Sequence, residues 1–562
     1  MISNKPKRRP NSFCTLDIET APSGDLLSLC IYNGKECIHF QTWAEFYYFI
    51  EQNNKEKTYR KFVAHNGGKF DWVSMVESLI DTFKDVDIIM TGSSIVFIKL
   101  KDFKKNVIFL DSLKVLQKGL KKLCKTFEVE TPKKEIDISK IEWYFKNEYH
   151  TYKEYLERDC ISLFQVLEKA MKIFDVDFWP PTIASLSMYK FRESFLPKNL
   201  LSPWGKKDEF ISQSYAGGRV ECFRSGIFNN VYVYDVNSLY PFVMRNADIP
   251  IASCIQTRNY HTKIPGFYKI AFNQYNKSVP PVLWEKTENG LEFVYKGSGI
   301  FYNREINLLT AVGGTFKLDH GFIYPKGTCK AFKKFVDYYY GQRTIYKGTP
   351  LDYCFKILMN SLYGKFAQKC LTHKLVKWDM AKLKANKFPW KEYNLEKNLF
   401  EIEETRKVRH RHIAIASIIT SLARIALYKY FLLYPDNLIY CDTDSIHLNR
   451  SFPEKYVDDK KLGFLKIENE NDKGCYIGRK QYAVGDKMKF KGIPLKSSLP
   501  HDELLFEDYI ELFNNKSINF KYTTFPALKT VLQRNKKACK PLKLSRNIKK
   551  ADYLTNFRKG FK

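Results

Sequence analysis

Two places in the second half of the chain show apolar stretches that end in aspartate. Residues 437–448 run through an apolar stretch to Asp442 and Asp444, one residue apart, and then become apolar again. This pattern predicts a strand, a tight acidic turn and a second strand. Residues 232–241 contain another apolar strand that ends at Asp235. Because aspartate is favoured in turns, a turn alone explains each acid separately, but two such strand ends can converge on a pair of divalent metal ions.

A second group of acids lies in the first 160 residues. Asp17 and Glu19 are two residues apart in a predicted strand and therefore share one face of it. A short apolar run and a glycine turn precede Asp71, and Tyr155 and Asp159 are four residues apart on a predicted helix. Each of these segments, considered alone, is more simply explained as part of a solvent-exposed surface. Together, four acids and a tyrosine predict a two-metal hydrolytic site.

Helical spacing brings three further side chains together. Lys356, Asn360 and Tyr363 fall at i, i+4 and i+7, so a cation, an amide and an aromatic ring project from one helix face. Such a face can hold a triphosphate and a base, and the alternative is an exposed surface helix. Residues 412–430 are largely apolar, which predicts a buried helix that leads into the acidic turn.

Composition and charge narrow the class of protein. A length of 562 residues predicts three to five modules, since domains commonly have about 100–200 residues. Hydrophobic residues make up 44% of the chain, which excludes wholesale disorder. The net charge of +31 is spread along the whole chain and favours a nucleic acid partner over a membrane. The alternative is a lysine-rich solvated surface.

Cysteine usage and hydropathy indicate the cellular compartment that the protein is expected to occupy. The 13 cysteines are scattered, and none forms a Cys-x-x-Cys pair, which predicts a reducing compartment and no zinc or iron–sulfur site of that type. No apolar run of about 18 residues is present, so we expect neither a membrane span nor secretion, and a cytoplasmic location in a host cell. The basic run at 5–9 is also a weak candidate for a nuclear address.

These groups stand in the order of six motifs of the family B DNA polymerases. Residues 17–19, 66–71 and 155–159 resemble the three motifs of that family's 3′–5′ proofreading exonuclease, and residues 235–241, 356–364 and 440–445 resemble its three polymerase motifs. The resemblance covers nearly the whole chain. It implies an α/β and α+β multidomain fold, in which an RNase H-like exonuclease domain precedes a right-hand palm, fingers and thumb with two insertions.

The same resemblance implies catalytic and metal-binding roles. The exonuclease metal ligands would be Asp17, Glu19, Asp71 and Asp159, supported by Tyr155 and Lys133, although Lys134 fits the lysine motif equally well. The polymerase metal ligands would be Asp235, Asp444 and the backbone of Val236, with Asp442 in support. Each site would bind two Mg²⁺ ions, with Mn²⁺ as an alternative.

Substrate contacts are implied in the same way. For the incoming dNTP they are Val236, Ser238, Leu239, Tyr240, Lys347, Lys356, Asn360 and Tyr363. Tyr240 would exclude a 2′-hydroxyl, and Lys356 would neutralise the triphosphate. For primer-template and single-stranded DNA they are Asn66, Phe70, Ser112, Leu113, Tyr215, Gly217, Gly218, Arg219, Thr443, Lys480, Tyr482 and Lys489. The stretch 215–219 resembles the linker motif that passes DNA between synthesis and editing.

The connections between the polymerase motifs are longer than simple loops require. Residues 246–342 and 372–404 resemble the two inserted subdomains of the protein-primed branch, found in phages, adenoviruses and linear plasmids. This implies a terminal protein as primer, a monomeric enzyme and strand displacement by the second insertion, which resembles a basic hairpin arm that closes over DNA. The alternatives are an RNA-primed family B polymerase, a nuclease with a degenerate polymerase half and a non-catalytic nucleic-acid scaffold.

The expected domain boundaries follow from the motif positions. They are 1–188 for the exonuclease, 189–262 for the first part of the palm, 263–340 for the first insertion, 341–370 for the fingers, 371–406 for the second insertion, 407–495 for the second part of the palm and 496–562 for the thumb.

Overall fold

The computed structural model describes residues 12–197, 200, 205–288, 290–369, 371–405, 408, 410–495, 501–534 and 540–549. The basic run at 5–9 and the last residues of the expected thumb lie outside the described residues. One described helix, Ile413–Phe431, has the length and apolar composition of a membrane span, but most of it is buried inside the protein, as in the core helix of a folded domain.

The first part of the chain alternates strands and helices. Its elements are β1 (Cys14–Thr20), β2 (Leu26–Tyr32), β3 (Cys37–Phe40), α1 (Trp43–Asn53), β4 (Lys61–Ala64), α2 (Asp71–Thr82), β5 (Val86–Thr91), β6 (Ser94–Leu100), β7 (Val107–Asp111), α3 (Leu113–Leu116), α4 (Leu120–Phe127), α5 (Ile141–Asn147), α6 (Tyr149–Phe174) and α7 (Ile183–Lys190).

The middle of the chain is richer in antiparallel strands. Its elements are α8 (Lys206–Gln213), β8 (Val220–Cys222), β9 (Gly226–Val236), α9 (Leu239–Asn246), β10 (Ile249–Pro250), β11 (Ile255–Thr257), β12 (Gly266–Gln274), β13 (Trp284–Thr287), β14 (Gly290–Phe293), β15 (Lys296–Tyr302), α10 (Asn303–Ala311), β16 (Gly314–Ile323), β17 (Thr328–Cys329) and α11 (Lys333–Ile345).

The last part begins with a long helix. Its elements are α12 (Pro350–Phe366), β18 (Leu371–Lys377), α13 (Met380–Lys384), β19 (Trp390–Asn394), β20 (Leu399–Thr405), α14 (Ile413–Phe431), β21 (Leu438–Asp442), β22 (Ser445–Leu448), β23 (Leu465–Gly478), β24 (Gln481–Val484), β25 (Lys487–Phe490), α15 (Phe506–Phe513), β26 (Ile518–Thr524), α16 (Leu528–Arg534) and β27 (Leu542–Ile548).

A mixed sheet organises the first part of the chain. Seven of its strands lie in the order β5-β6-β7-β4-β1-β2-β3, with β1, β4 and β7 parallel. Alternation along β1 buries Leu16 and Ile18 in the core beside α1 and α2. The opposite face of β1 carries Asp17 and Glu19 and contacts α6. The acids therefore lie between the sheet and a helix.

A second, antiparallel sheet carries the acidic turn. Its strand order is β25-β24-β23-β9-β22-β21-β8. Helices α9 and α14 cover one face, and α14 is buried along most of its length, as its apolar sequence predicts. Two sheets joined by mixed helical regions confirm the predicted α/β and α+β multidomain fold.

The second insertion is joined to the mixed sheet of the first part of the chain. Strand β18 pairs antiparallel with β5, so that β19, β20 and β18 extend the mixed sheet to ten strands. Leu375 and Leu399 share its hydrophobic core. The insertion is therefore docked along the edge of this sheet.

Lysines of the second insertion reinforce this docking. Lys382 lies 2.6 Å from Asp85, Lys397 lies 3.0 Å from Asp81, and Lys374 lies 3.4 Å from Asp87. Lys377 donates to the carbonyl of Ile80 at the end of α2. These lysines pair with residues of the first part of the chain, so only some of the basic charge of the insertion remains unpaired among the described residues.

The first insertion and the thumb contact the rest of the molecule differently. The first insertion contains a four-stranded antiparallel sheet, β11-β16-β12-β15, and a separate hairpin of β13 and β14. Helix α16 of the expected thumb buries Leu528, Val531 and Leu532 in the hydrophobic core beside α1 and α2. This helix thus packs against the first part of the chain.

Candidate active sites

The acidic turn of the palm brings two strand ends together. Thr443 adopts a left-handed conformation with φ 69°, which is strained for a β-branched residue. Its N–H donates to the carbonyl of Arg219 at 2.7 Å, and the N–H of Val236 donates to the carbonyl of Asp444 at 2.7 Å. Ser445 pairs with Asp235 in the sheet. These contacts place Asp235 and Asp444 beside each other.

Burial and neighbouring charges shift the pKa values of the two aspartates. The pKa of Asp235 is raised to about 7 by burial and then by the charge of Asp444, while Lys356 opposes the shift. Burial also raises the pKa of Asp444, and Lys356 opposes that shift as well. Lys356 is thus close enough for its charge to act on both carboxylates. A divalent cation relieves repulsion of this kind.

Asp442 has a different environment. The ammonium of Lys480 donates to both of its carboxylate oxygens, at 2.5 and 2.6 Å. The backbone N–H of Lys480 in turn donates to the hydroxyl of Tyr440. Asp442 is therefore held by an internal cation in this structure, which agrees with its expected supporting position. Lys480 lies at the acidic turn.

Aromatic rings and buried polar atoms surround the acids. The rings of Tyr240 and Tyr363 stack with centroids 4.5 Å apart and planes within 5°. The side-chain oxygen of Asn360 is buried without a hydrogen-bond partner among the described residues. Leu239 and Val236 are buried at the start of α9 and the end of β9. Of the predicted dNTP residues, the structure thus brings Tyr240 and Tyr363 into direct contact.

One residue that contacts the predicted dNTP residue Ser238 was missed by the sequence analysis. Arg343 on α11 donates to the hydroxyl of Ser238 at 2.9 Å and is also paired with Asp352. Lys347, which the sequence analysis named, is exposed in the turn between α11 and α12. No motif singled out Arg343, because its contact depends on the packing of α11 against α9.

The linker stretch lies directly on the acidic turn. A Cβ added to Gly218 would lie 2.7 Å from the Thr443 methyl group, so only glycine fits without displacement. Arg424 donates to the carbonyls of Ala216 and Gly217, at 3.0 and 2.7 Å. Tyr215 is half-buried, and Gly217 is exposed.

The predicted DNA contact by the Arg219 side chain is wrong. Arg219 is only 2% exposed, and its guanidinium pairs with buried Glu221, donates to the carbonyl of Pro281 and stacks on Phe293. The physical reason is that alternation in this extended stretch turns Arg219 into the core. Its backbone, which binds Thr443, remains at the turn.

A cleft of about 680 Å³ opens beside the linker and the palm. Its lining includes Gly217, Gly218, Leu291, Lys480, Lys489 and Lys491. Tyr482 is half-buried beneath it, with its ring 4.8 Å from that of Tyr440. Exposed glycine backbone and lysines in one cleft suit a nucleic acid backbone.

The acids of the first part of the chain also converge. Burial raises the pKa of Asp17 well above its usual range, and Asp159 and Glu19 raise it further. The pKa of Glu19 is raised to about 8, by burial first and then by Asp159. Burial and then Asp17 raise the pKa of Asp71. Asp159 thus acts on the pKa of both Asp17 and Glu19, and Asp17 acts on that of Asp71, which groups the four carboxylates in one region.

Lys133 completes this acidic cluster. Its ammonium donates to Asp159, lies 3.2 Å from the hydroxyl of Tyr155 and is 4.8 Å from the centre of that ring. Lys134 instead pairs with Glu154 on the outer side of α6. The structure therefore favours Lys133 over Lys134 as the lysine of this site.

The acids suit divalent cations in their donor chemistry. One oxygen each of Asp71 and Asp159 is buried without a hydrogen-bond partner among the described residues. Buried carboxylate oxygens of this kind are the ligands that Mg²⁺ and Mn²⁺ prefer. Within the described ranges, no three His, Cys, Asp or Glu side chains are already arranged closely enough to hold a metal ion. The carboxylates therefore fit a divalent cation through their donor chemistry and their location in one region of the structure.

The predicted single-strand contacts lie beside these acids with one correction. Asn66 forms a left-handed turn with φ 73°, and Phe70 contacts Phe525 of the thumb, with ring centroids 5.6 Å apart. Leu113 is half-buried. Ser112 is fully buried and its hydroxyl bonds His65 and a backbone carbonyl, so its side chain is not available to DNA.

His65 is a second residue that the sequence analysis missed. Its Nδ1 lies 2.8 Å from the Ser112 hydroxyl, and the backbone of Lys118 also interacts with the ring. Burial lowers its pKa to about 4, so the ring is neutral at pH 7. Its position directly before Asn66, a predicted DNA contact, was the feature of the sequence that could have identified it.

Comparisons with known proteins agree with this geometry. The family model "DNA polymerase type B, organellar and viral" matches residues 51–154 and 144–462. A "Probable DNA polymerase" of Ascobolus immersus is 26% identical over 551 residues, covering 84% of this chain and 45% of the relative. A "DNA-directed DNA polymerase" of Enterobacteria phage PRD1 is 27% identical over 490 residues, covering 83% of this chain and 80% of the relative.

A solved structure shares the fold. Phi29 DNA polymerase complexed with primer-template DNA and incoming nucleotide substrates has a TM-score of 0.75 and 19% identity, and the match covers 97% of this chain and 100% of the phi29 chain. The chain spans about half the length of the Ascobolus relative. The match over most of the chain shows that this protein belongs to the organellar and viral type B DNA polymerases, as the motifs predict.

Proposed function

We propose that this chain is a DNA-directed DNA polymerase with a 3′–5′ exonuclease site. The observation that carries the proposal is the pair Asp235 and Asp444, which two different strands bring together beside Lys356. The lysine-lined cleft and the net charge of +31 support DNA as the partner. The name of the phage PRD1 relative, "DNA-directed DNA polymerase", supports the polymerase part of the proposal.

Synthesis rests on the residues around this pair. Asp235, Asp444 and the Val236 carbonyl would hold two Mg²⁺ ions, or Mn²⁺, which supply Lewis-acid activation and charge neutralisation. Lys356 faces the same space and would bind the triphosphate. The triphosphate would then take the place of the carboxylates as the anionic partner of Lys356. The stacked rings of Tyr240 and Tyr363 form a rigid floor for the sugar and exclude a 2′-hydroxyl. Lys480 orients Asp442 and lies where the primer terminus would enter.

Proofreading rests on the first acidic cluster. Asp17, Glu19, Asp71 and Asp159 would hold the metal ions, while Lys133 fixes Asp159 and approaches the Tyr155 hydroxyl. The Asn66 turn and Phe70 would bind the unpaired primer end. The linker at Gly217 and Gly218 borders the cleft and would guide the strand between the two sites.

Protein priming is the proposed mode of initiation. The two insertions between the polymerase motifs support it, and they suggest a terminal protein as partner, a monomeric enzyme and strand displacement during replication of a linear viral or plasmid genome. A cytoplasmic site of action and the expected domain boundaries are part of the same proposal. An RNA-primed polymerase is the second candidate, since both modes use the same palm acids.

Primer extension with dNTPs and Mg²⁺ tests the polymerase assignment. We expect wild type to extend a primed template and Asp235→Ala to lose at least about 10²-fold in rate. Asp486→Asn, an exposed acid in a palm turn, is the matched control and should extend normally. Extension by Asp235→Ala at the control rate would refute the assignment.

A further inference from the structure

Asp111 ends β7 directly before the predicted single-strand-binding residues Ser112 and Leu113. Its side chain is only 1% exposed, although it is an acid. Burial of a carboxylate is costly unless hydrogen bonds satisfy its oxygens. Its partners therefore indicate what it does.

Three backbone N–H groups donate to Asp111. The N–H of Asn66 lies 2.9 Å from Oδ1, that of Gly68 lies 3.1 Å from Oδ2, and that of Leu113 lies 2.9 Å from Oδ1. Two of these donors belong to the turn that follows β4, and the third begins α3. One carboxylate thus joins both predicted single-strand-binding segments, which are 45 residues apart.

The turn that Asp111 holds leads directly to a catalytic acid. Asn66 is left-handed, and Gly68 lies so close to the carbonyl of Ile95 and to Asp111 that a Cβ would not fit. The N–H of Trp72 donates to the carbonyl of Gly67 at 2.8 Å, which connects the turn to the start of α2 at Asp71. A shift of the turn would move the DNA-contacting atoms first and Asp71 less, because α2 is anchored in the core.

We propose that Asp111 is a positioning residue that fixes the two strand-binding segments in register, so that an unpaired 3′ end enters the exonuclease site. This rests on the exonuclease function proposed above. Asp111 does not touch the substrate, and it acts through the backbone of Asn66, Gly68 and Leu113. A substrate too small to reach these segments does not need it.

Substrate size separates this role from a purely structural one. The variant is Asp111→Asn, which keeps the shape but replaces one accepting oxygen by an NH₂ group that faces an N–H donor. We expect the KM for a single-stranded oligonucleotide to rise by about tenfold or more. The kcat for the p-nitrophenyl ester of thymidine 5′-monophosphate, which needs only the carboxylate cluster, should stay within about twofold.

The chain offers a matched control. Asp102 in the same domain also accepts two backbone N–H groups, from Lys84 and Asp85, at 2.8 and 2.9 Å. Asp102→Asn should leave both substrates unaffected. Hydrogen exchange at the Asn66, Gly68 and Leu113 amides should accelerate in Asp111→Asn, and primer extension by the same preparation reports that the protein is folded.

Two outcomes overturn the proposal. Equal loss on the oligonucleotide and on the small ester means that Asp111 only supports the fold, and an unchanged KM means that it does not position the strand. Asp71→Ala is measured in parallel. If Asp71→Ala degrades DNA normally, the exonuclease assignment itself fails, whereas an inactive Asp71→Ala beside a normal Asp111→Asn refutes only the positioning role.

Discussion

The three palm aspartates differ in their neighbours, and this difference predicts their contributions. Asp235 and Asp444 are close to each other and to Lys356, whereas Asp442 is held by Lys480. We expect Asp444→Ala to abolish primer extension, with a loss of at least about 10²-fold. Asp442→Ala should cost less, because it removes a supporting acid. Steady-state extension rates rank the two variants, and a larger loss for Asp442→Ala would contradict the ranking.

The stacked tyrosines make a prediction about sugar selection. Replacing Tyr240 by Val removes the ring that packs 4.5 Å from Tyr363. The ratio of ribonucleotide to deoxyribonucleotide incorporation should rise, because the space needed by a 2′-hydroxyl becomes available. Competition assays with rNTP and dNTP measure the ratio. An unchanged ratio would mean that Tyr240 only packs in the core and does not exclude a 2′-hydroxyl.

At single positions the sequence predicts proximity better than orientation. The motifs group the four acids of the first part of the chain, and the palm acids with Lys356, and the structure places the members of each group near one another. The motifs do not reveal that Arg219 and Ser112 turn inward, because a motif does not specify which of its side chains are buried. Arg343 and His65 were missed since their contacts arise from packing between distant elements.

The second insertion is the element whose placement the sequence did not predict. The resemblance implies a hairpin arm that closes over DNA, but pairing between β18 and β5 joins segments almost 300 residues apart and leaves no local signal. Deleting residues 372–398 would expose the β5 edge and remove Leu375 from the exonuclease core. That deletion is therefore a poor test of strand displacement, because it would also destabilise the exonuclease domain.

Point substitutions separate the two roles of this insertion. Lys384 and Lys387 are exposed. The double variant Lys384→Glu with Lys387→Glu should therefore weaken strand displacement. It should also lower the slope of log affinity against log salt by about 0.9 for each lost phosphate contact. Product length on a primed circle and DNA binding at several salt concentrations measure both. A wild-type slope and product length would refute contact between the insertion and DNA.

The docking lysines give the matched comparison. Lys382→Glu with Lys397→Glu places like charges beside Asp85 and Asp81. We expect the free energy of unfolding to fall by about 1 kcal/mol, because exposed ion pairs contribute only modestly. Chemical denaturation monitored in the exonuclease domain measures it, and an unchanged stability would contradict the docking contacts.

Across the whole molecule, buried histidine predicts sensitivity to acid. His447 is buried against Tyr476, and burial followed by the charge of Lys487 lowers its pKa to about 3. The unfolded state accepts its proton below about pH 6.5, so this stability is complete above that pH and is lost as pH falls toward 3. Within this window, His447→Gln should reduce the pH slope of the unfolding free energy by up to about 1.4 kcal/mol per pH unit.

The control for this measurement is an exposed histidine. His150→Gln at the start of α6 should leave the slope unchanged. Urea denaturation between pH 4 and 7 gives the unfolding free energy for wild type and both variants. A His447→Gln slope equal to that of wild type would show that the imidazole titrates normally in the folded protein.

The central claim is that one chain carries two separate active sites. Asp17→Ala with Asp71→Ala should abolish 3′–5′ degradation of a single strand, by at least about 10²-fold, while primer extension persists. Asp235→Ala should show the reverse, because the two sites share no ligand. Measuring both activities on both variants, in the same buffer with Mg²⁺, is the most direct test. Loss of both activities together in either variant, with the protein folded, would contradict the two-site account.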